Sequence, residues 1–294
     1  MYCPRLDHFV RFNPNGTVSR CGHMVNPPEF DSLEEMNHSQ WQQSITDLFV
    51  KEQFPTECVR CQQVEQEGNN SIRAYAIMLD QSETQRNYLQ VGGVLDNLCN
   101  AACQTCGPEC STKIGSLENR VFPIVNNSEQ YWALPQERIL HLDINGGEPS
   151  YSKNYKRILA NLPPNLKTLR LNTNCNVVLH ELNDIVKTVE VTVTVSCDGI
   201  GALHEFMRWP IKWDTFYNNL MIYKSMPVKL NLWTTVSILN VDNLPNIQAF
   251  AKEHGIEHSY AYLKEPAVLD IDNKDLAAVG LYIQKQKKLR GIRD

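Results

Sequence analysis

The residues best suited to do chemistry in this chain are cysteines, ten in 294 residues, and they are unevenly placed. Cys99, Cys103 and Cys106 form a C-x3-C-x2-C triplet. Three thiolates on one short loop can hold three corners of a cubane iron–sulfur cluster, where ordinary ferredoxin-like sites provide four. The fourth iron then stays open to a small molecule, as the open position does in catalytic zinc sites. Cys110 follows a Gly-Pro and reads as the start of a helix, with a fourth-ligand role as the alternative. Cys3, Cys21 and the Cys58-x2-Cys61 pair make a second set of four, which suits either a closed cluster or tetrahedral zinc. Cys175 and Cys197 stand alone and read as small buried hydrophobes. Cys197 also carries a minority reading as a hydrogen donor to a substrate radical.

A disulfide scaffold does not explain these cysteines, because disulfide-dense folds are short secreted domains. The N-terminal MYCPRLDHFV has charge and proline where a signal peptide needs an apolar stretch, and no run reaches the ~20 apolar residues of a membrane helix. The expected compartment is the cytoplasm, where thiols stay reduced and cysteine clusters point to metals or catalysis. A net charge of −5 provides no global field for a phosphate backbone, so nucleic acid is not an expected partner. The basic run Lys285–Arg293 reads as a solvated helix face, with nucleic acid or an acidic peptide as the weaker option.

The elements that must position these residues alternate. Phe9–Phe12 and Thr17–Arg20 flank an Asn-Gly turn and read as a hairpin that sets Cys3 before it and Cys21 at its end. A polar helical stretch follows near 33–50. Strands are then expected at 89–98, 139–144, 166–172, 189–196, 228–238 and 258–262, with helices at 152–160, 178–187, 214–225, 243–254 and 273–289. VEVTVTVS at 189–196 is the clearest strand, being β-branched or alternating throughout. Leu244, Ile247, Phe250 and Ala251 share one helix face, with Gly255 at the C-terminal stop. Strand–helix alternation implies a parallel sheet, open or closed into a partial barrel. Trp209, Trp213, Trp233, Tyr260 and Tyr262 are candidates to face inward.

Three segments in this order, each at the end of an expected strand, carry a family resemblance. They are the cysteine triplet, Gly146-Gly147-Glu148-Pro149, and Ser196-Cys197-Asp198-Gly199 followed by Arg208. Together they resemble the radical S-adenosylmethionine (SAM) superfamily over about residues 87–265. The resemblance implies a [4Fe–4S] cluster on Cys99, Cys103 and Cys106. It also implies SAM bound at the mouth of the sheet, where ligand sites of parallel α/β folds lie. Gly146, Gly147 and Glu148 would receive the SAM amino group, since carbonyls and a carboxylate accept from an ammonium. Ser196 and Arg208 would hold the SAM carboxylate, with Asp198 in the same segment, and Asn172 or Asn174 would reach the ribose or carboxylate. The implied reaction is one-electron cleavage of SAM to a 5′-deoxyadenosyl radical that abstracts hydrogen, an oxidoreductase chemistry needing a donor such as flavodoxin or ferredoxin. Thr105 stands where the family often has an aromatic residue near the adenine.

The N-terminal four cysteines and their hairpin resemble the SPASM/twitch module, which implies an auxiliary [4Fe–4S] cluster, with zinc as the rival. Here the module precedes the barrel, whereas it usually follows it. The fold implied is α/β: a partial (β/α)6 TIM-like radical SAM barrel over 81–294, preceded by a small irregular α+β twitch-like domain over 1–80. The substrate implied is a peptide or protein. Alternatives are a nucleoside, sugar or other small molecule, and from another class a non-catalytic iron–sulfur or zinc module.

Overall fold

The computed structural model describes residues 1–120 and 127–292, so Arg293 lies outside the described residues. The chain forms two compact units.

One unit holds residues 1–95, the described part of 125–145, and 161–167. Its strands are β1 (Phe9–Phe12), β2 (Val18–Ser19), β3 (Leu89–Val94) and β4 (Ile139–Asn145), in the order β2-β1-β3-β4. The expected hairpin is present: β1 and β2 pair antiparallel, Arg11 opposite Ser19 and Phe12 opposite Val18. β1 also pairs in parallel with β3, from Phe9 opposite Gln90 to Phe12 opposite Gly93. Gly93 permits this approach, because a Cβ there would lie 2.2 Å from the Phe12 carbonyl oxygen. The strand expected over 89–98 ends at Val94, so the residues leading to Cys99 are loop. The helical stretch near 33–50 is two helices, Leu33–His38 and Gln40–Val50. The break is at Ser39, whose hydroxyl accepts from the Gln42 N–H at 3.1 Å and caps the second helix. Arg20 is buried under these helices and donates to Gln42 Oε1 at 3.0 Å and to the Phe9 carbonyl at 3.2 Å.

The second unit holds the described residues of 96–124, together with 146–160 and 168–294. Its strands β5 (Thr168–Thr173), β6 (Glu190–Ser196), β7 (Lys229–Val236) and β8 (Glu257–Tyr262) run in chain order and are all parallel. All six strands expected after residue 87 are therefore present, and the fold is mixed α/β with largely parallel pairing. The period-2 alternation decides which face each residue serves. Val191, Val193 and Val195 are buried, as are Leu232, Thr234 and Val236 on the neighbouring strand. Thr192, Thr194 and Ser196 lie on the other, less buried face of β6.

The helices expected near 152–160, 214–225 and 243–254 form at Lys153–Ala160, Trp213–Ser225 and Leu244–Glu253. The one expected over 178–187 shortens to Leu182–Ile185. Tyr260 and Tyr262 do not face inward: they are 42% and 48% exposed on β8. They oppose Thr234 and Val236 and so share that face rather than the face of Trp233 and Thr235, and on β8, the last strand of the order, that face is exposed. Among the described residues no helix is long and apolar enough to cross a membrane.

His204 illustrates how this core is held. It is fully buried against Trp213 and Phe216, with ring centroids 5.4 and 4.1 Å away. Burial, helped by Arg208, lowers its pKa from 6.5 to about 3. Below pH 6.5 the unfolded chain takes up a proton at this ring that the folded chain refuses until about 3. Stability is thus complete above 6.5 and is lost as pH falls through that window, by on the order of a few kcal/mol. Urea unfolding at pH 7 and pH 5 should show this loss, and His204→Phe should flatten it. An unchanged slope in the variant would remove His204 as its source.

Candidate active site

The cysteine loop is held from several sides before any ligand is considered. The Ala102 N–H donates to the Trp209 carbonyl at 2.7 Å, and the Gln104 N–H to that of Met207 at 2.8 Å. The Ser111 hydroxyl donates to the Ala101 carbonyl at 2.7 Å. The Gly-Gly-Glu-Pro segment closes on the same loop: the Gly147 N–H donates to the Cys110 carbonyl and the Glu148 N–H to that of Leu98. Gly147 has φ +58°, and a Cβ there would meet the Asp96 and Leu98 carbonyl oxygens at 2.7 and 2.8 Å. Both neighbours are backbone and cannot swing away. Gly147→Ala is expected to cost about 2 kcal/mol or more. Denaturant unfolding checks this, and a loss under 0.5 kcal/mol, within the ordinary range for surface substitutions, would contradict it.

These segments surround a cavity of about 230 Å3. Cys99, Cys103 and Cys106 line one side, with Thr105 and Cys110. Gly146, Gly147 and Glu148 line another, and Asn172, Asn174, Ser196 and Arg208 complete it with Trp233. Ser196 gets there by strand register, since it pairs with Trp233 across β6 and β7. Of the residues singled out in the sequence, Asp198 and Cys197 are not among the lining. Cys197 is fully buried, with its thiol 3.4 Å from the Gly199 carbonyl. Cys175 is likewise fully buried.

Glu148 is buried and its carboxylate accepts four hydrogen bonds. Oε1 accepts from the Ser150 N–H and hydroxyl (3.1 and 2.6 Å) and from the Thr173 hydroxyl (2.8 Å), while Oε2 accepts from the Asn174 N–H (2.7 Å). It therefore ties the ends of two strand loops together. Burial raises its pKa, and the four donors oppose that rise. Asn174 in turn donates to Asn100 Oδ1 at 2.8 Å, inside the cysteine loop. Asp198 is fully buried and pairs with Arg208, Nε to Oδ2 at 2.8 Å. Its other oxygen accepts from the Thr235 N–H at 2.8 Å. Arg208 Nη1 also donates to Cys103 Sγ at 3.6 Å. Burial works against the Arg208 charge, but Asp198 together with the sulfurs of Cys103, Cys197 and Cys106 outweighs it and holds the guanidinium above its ordinary pKa.

Asp96 is a member that the sequence reading omitted. It is fully buried, Oδ1 accepts from the Leu98 N–H at 2.8 Å, and Oδ2 accepts from Ser152 and Asn154 at 2.5 and 2.9 Å. It links the approach to Cys99 with the residues after Pro149. The available signal was an acidic residue just beyond a strand, three positions before the first cysteine.

The donor set fits a thiolate-ligated group. Burial, with Cys103 nearby, pushes the Cys99 thiol up to about 12, and burial raises Cys103 against the pull of Arg208. Thiols in such surroundings ionise when a cation joins them. Among the described residues no group of three or more His, Cys, Asp or Glu stands as it would around one metal ion. A cubane does not require that convergence, because each thiolate meets its own iron.

A second, smaller cavity of about 20 Å3, room for about one water, lies in the other unit. Cys3, Cys21, Cys58 and Cys61 all line it, with Arg5, His23 and Arg73. Three of these thiols are buried in a core with Leu6, Met24, Ile45 and Phe49. Burial pushes Cys3 and Cys58 up to about 12; Cys21 and Cys61 add to the Cys3 shift, and Cys3, Cys21 and Cys61 to that of Cys58, so the four are electrostatic neighbours.

No family model and no curated protein matches the sequence. Solved structures similar to this chain include Streptococcus suis SuiB bound to S-adenosylmethionine, at 16% identity over 97% of this chain and 70% of that one, TM-score 0.48. SuiB bound to precursor peptide SuiA is similar at 16% identity and TM-score 0.45, with the same 97% and 70% coverage. Native anSMEcpe with bound AdoMet is similar at 14% identity over 60% of this chain, TM-score 0.44, and the match spans 52% of that protein's length.

Proposed function

We propose that this protein is a radical SAM enzyme. The observation that carries the reading is a single cavity lined at once by Cys99, Cys103 and Cys106, by the Gly146–Glu148 turn, and by Ser196 and Arg208. Cys99, Cys103 and Cys106 would hold a [4Fe–4S] cluster, which would supply the electron for reductive cleavage of SAM to a 5′-deoxyadenosyl radical. The chain's own part is to bind, orient and shield. The Gly146 and Gly147 backbone offers carbonyls to an ammonium, and Asn172, Asn174 and Ser196 offer neutral polar groups to a ribose or carboxylate. Arg208 offers the remaining N–H groups of its fork to a carboxylate. The carboxylate of Glu148 also holds its loop, and Oε2, which accepts from the Asn174 N–H, has a second lone pair to offer the same ammonium.

Proposed substrate and partners follow the same resemblance: a peptide or protein, and a low-potential electron donor such as flavodoxin or ferredoxin. We further propose that Cys3, Cys21, Cys58 and Cys61 hold an auxiliary [4Fe–4S] cluster. Zinc is the second reading, since four thiolates also suit a tetrahedral site. Iron and zinc content of a chain lacking Cys99, Cys103 and Cys106 separates the two, since only the auxiliary cluster would leave iron.

The test of the enzyme reading is anaerobic reconstitution, chemical reduction and addition of SAM. Release of 5′-deoxyadenosine and methionine is expected. Full cluster occupancy with neither cleavage nor a SAM-dependent spectral change would leave a non-catalytic iron–sulfur module instead.

A further inference from the structure

The C-terminal helix Leu276–Arg290 carries Tyr282, Gln286 and Arg290 at intervals of four, hence on one face. Arg290 is the member that matters. It stands in the basic run that reads as solvated, yet it is 8% exposed. Its Nε and Nη2 both donate to the Ala102 carbonyl, at 3.1 and 2.9 Å. A third nitrogen, Nη1, is held by Gln286 Oε1. The Tyr282 hydroxyl donates to the Gln104 carbonyl at 3.1 Å. The two carbonyls that this face grips flank Cys103. Among the described residues none of its hydrogen-bond partners is a carboxylate, so no acid there neutralises the guanidinium through a hydrogen bond.

We propose that Arg290 is a positioning residue of the cysteine loop. Its fork fixes the Ala102 carbonyl, and its permanent charge beside Cys103 favours the reduced state of the cluster bound there. The inference rests on the function proposed above and adds a residue 188 positions away in sequence from the one it holds. Reduction adds one negative charge to the cluster. A fixed cation in a poorly screened interior stabilises that added charge, and the structural fork and the charge are separable by substitution.

The experiment is a potentiometric titration, followed by electron paramagnetic resonance, of reconstituted full-length wild type, Arg290→Gln and Arg290→Lys. Arg290→Gln is expected to hold about tenfold less reduced cluster at a fixed potential, equivalent to a midpoint lower by about 59 mV for a one-electron couple. Its iron content should match wild type. Arg290→Lys keeps the charge and loses the fork, so it should retain the midpoint and alter the resonance line shape. An unchanged midpoint in folded, iron-loaded Arg290→Gln overturns the proposal. So does a tenfold loss in Arg290→Lys, which decides the matter alone if Arg290→Gln does not fold. Wild type that takes up no iron would overturn the enzyme reading, and this inference with it.

Discussion

Asp198→Asn is expected to lower the unfolding free energy by about 3–5 kcal/mol, because it strips a buried cation of its carboxylate partner. Asp198 and Arg208 are both buried, and their 2.8 Å pairing is what makes the Arg208 charge tolerable there. The amide could still accept from the Thr235 N–H, so the loss isolates the charge rather than the strand-end hydrogen bond. Arg208→Gln alone leaves the carboxylate unpaired and should cost a similar amount. The double variant should cost clearly less than the two losses added, as coupled neighbours do. Denaturant unfolding of the three variants measures this cycle. Strict additivity, or a single-variant loss under 1 kcal/mol, would show that the pair is not what holds this strand end to the cysteine loop.

Cys103→Ala is expected to remove the cluster of this loop and to cut SAM cleavage by at least about 100-fold. Changes to partners one step removed from a metal already cost 10–100-fold, and Cys103 would be a ligand itself. Its thiol is buried and faces Arg208 Nη1, so alanine leaves both a missing ligand and an unpaired donor. The proposed auxiliary site of Cys3, Cys21, Cys58 and Cys61 should keep its metal, because that cavity lies within the other unit. Iron per chain and 5′-deoxyadenosine yield are the two readouts. Full iron and undiminished cleavage in the variant would place the reacting group elsewhere.

Much of the architecture was legible because it is written at short range. Six strands after residue 87 could be located from runs of alternating or β-branched residues, and VEVTVTVS folds over Glu190–Ser196 with valines on the buried face. The Asn-Gly hairpin was equally local. Errors arose where local pattern was weak or ambiguous. A single polar stretch hid the capped break at Ser39. Tyr260 and Tyr262 are β-formers whose side was set by pairing register with β7, which their own sequence does not specify. The hairpin's second role, pairing with β3, joins segments some eighty residues apart and had no local mark.

The candidate site divides in the same way. From the sequence alone came the triplet spacing, the Gly-Gly-Glu-Pro and Ser-Cys-Asp-Gly segments, and their placement at strand ends. These follow from residue type and strand period, which neighbours along the chain determine. Only the tertiary structure decided what each side chain does there. Glu148 became a clasp accepting from four donors, Arg208 a bridge between Asp198 and Cys103, and Arg290 a buried hold on Ala102. Arg208 and Cys103 are 105 residues apart, and Arg290 and Ala102 are 188 apart. A charge on a helix looks solvated in one dimension. Whether it is buried, and against which carbonyl, depends on how distant segments pack, and that information resides in no single stretch of chain.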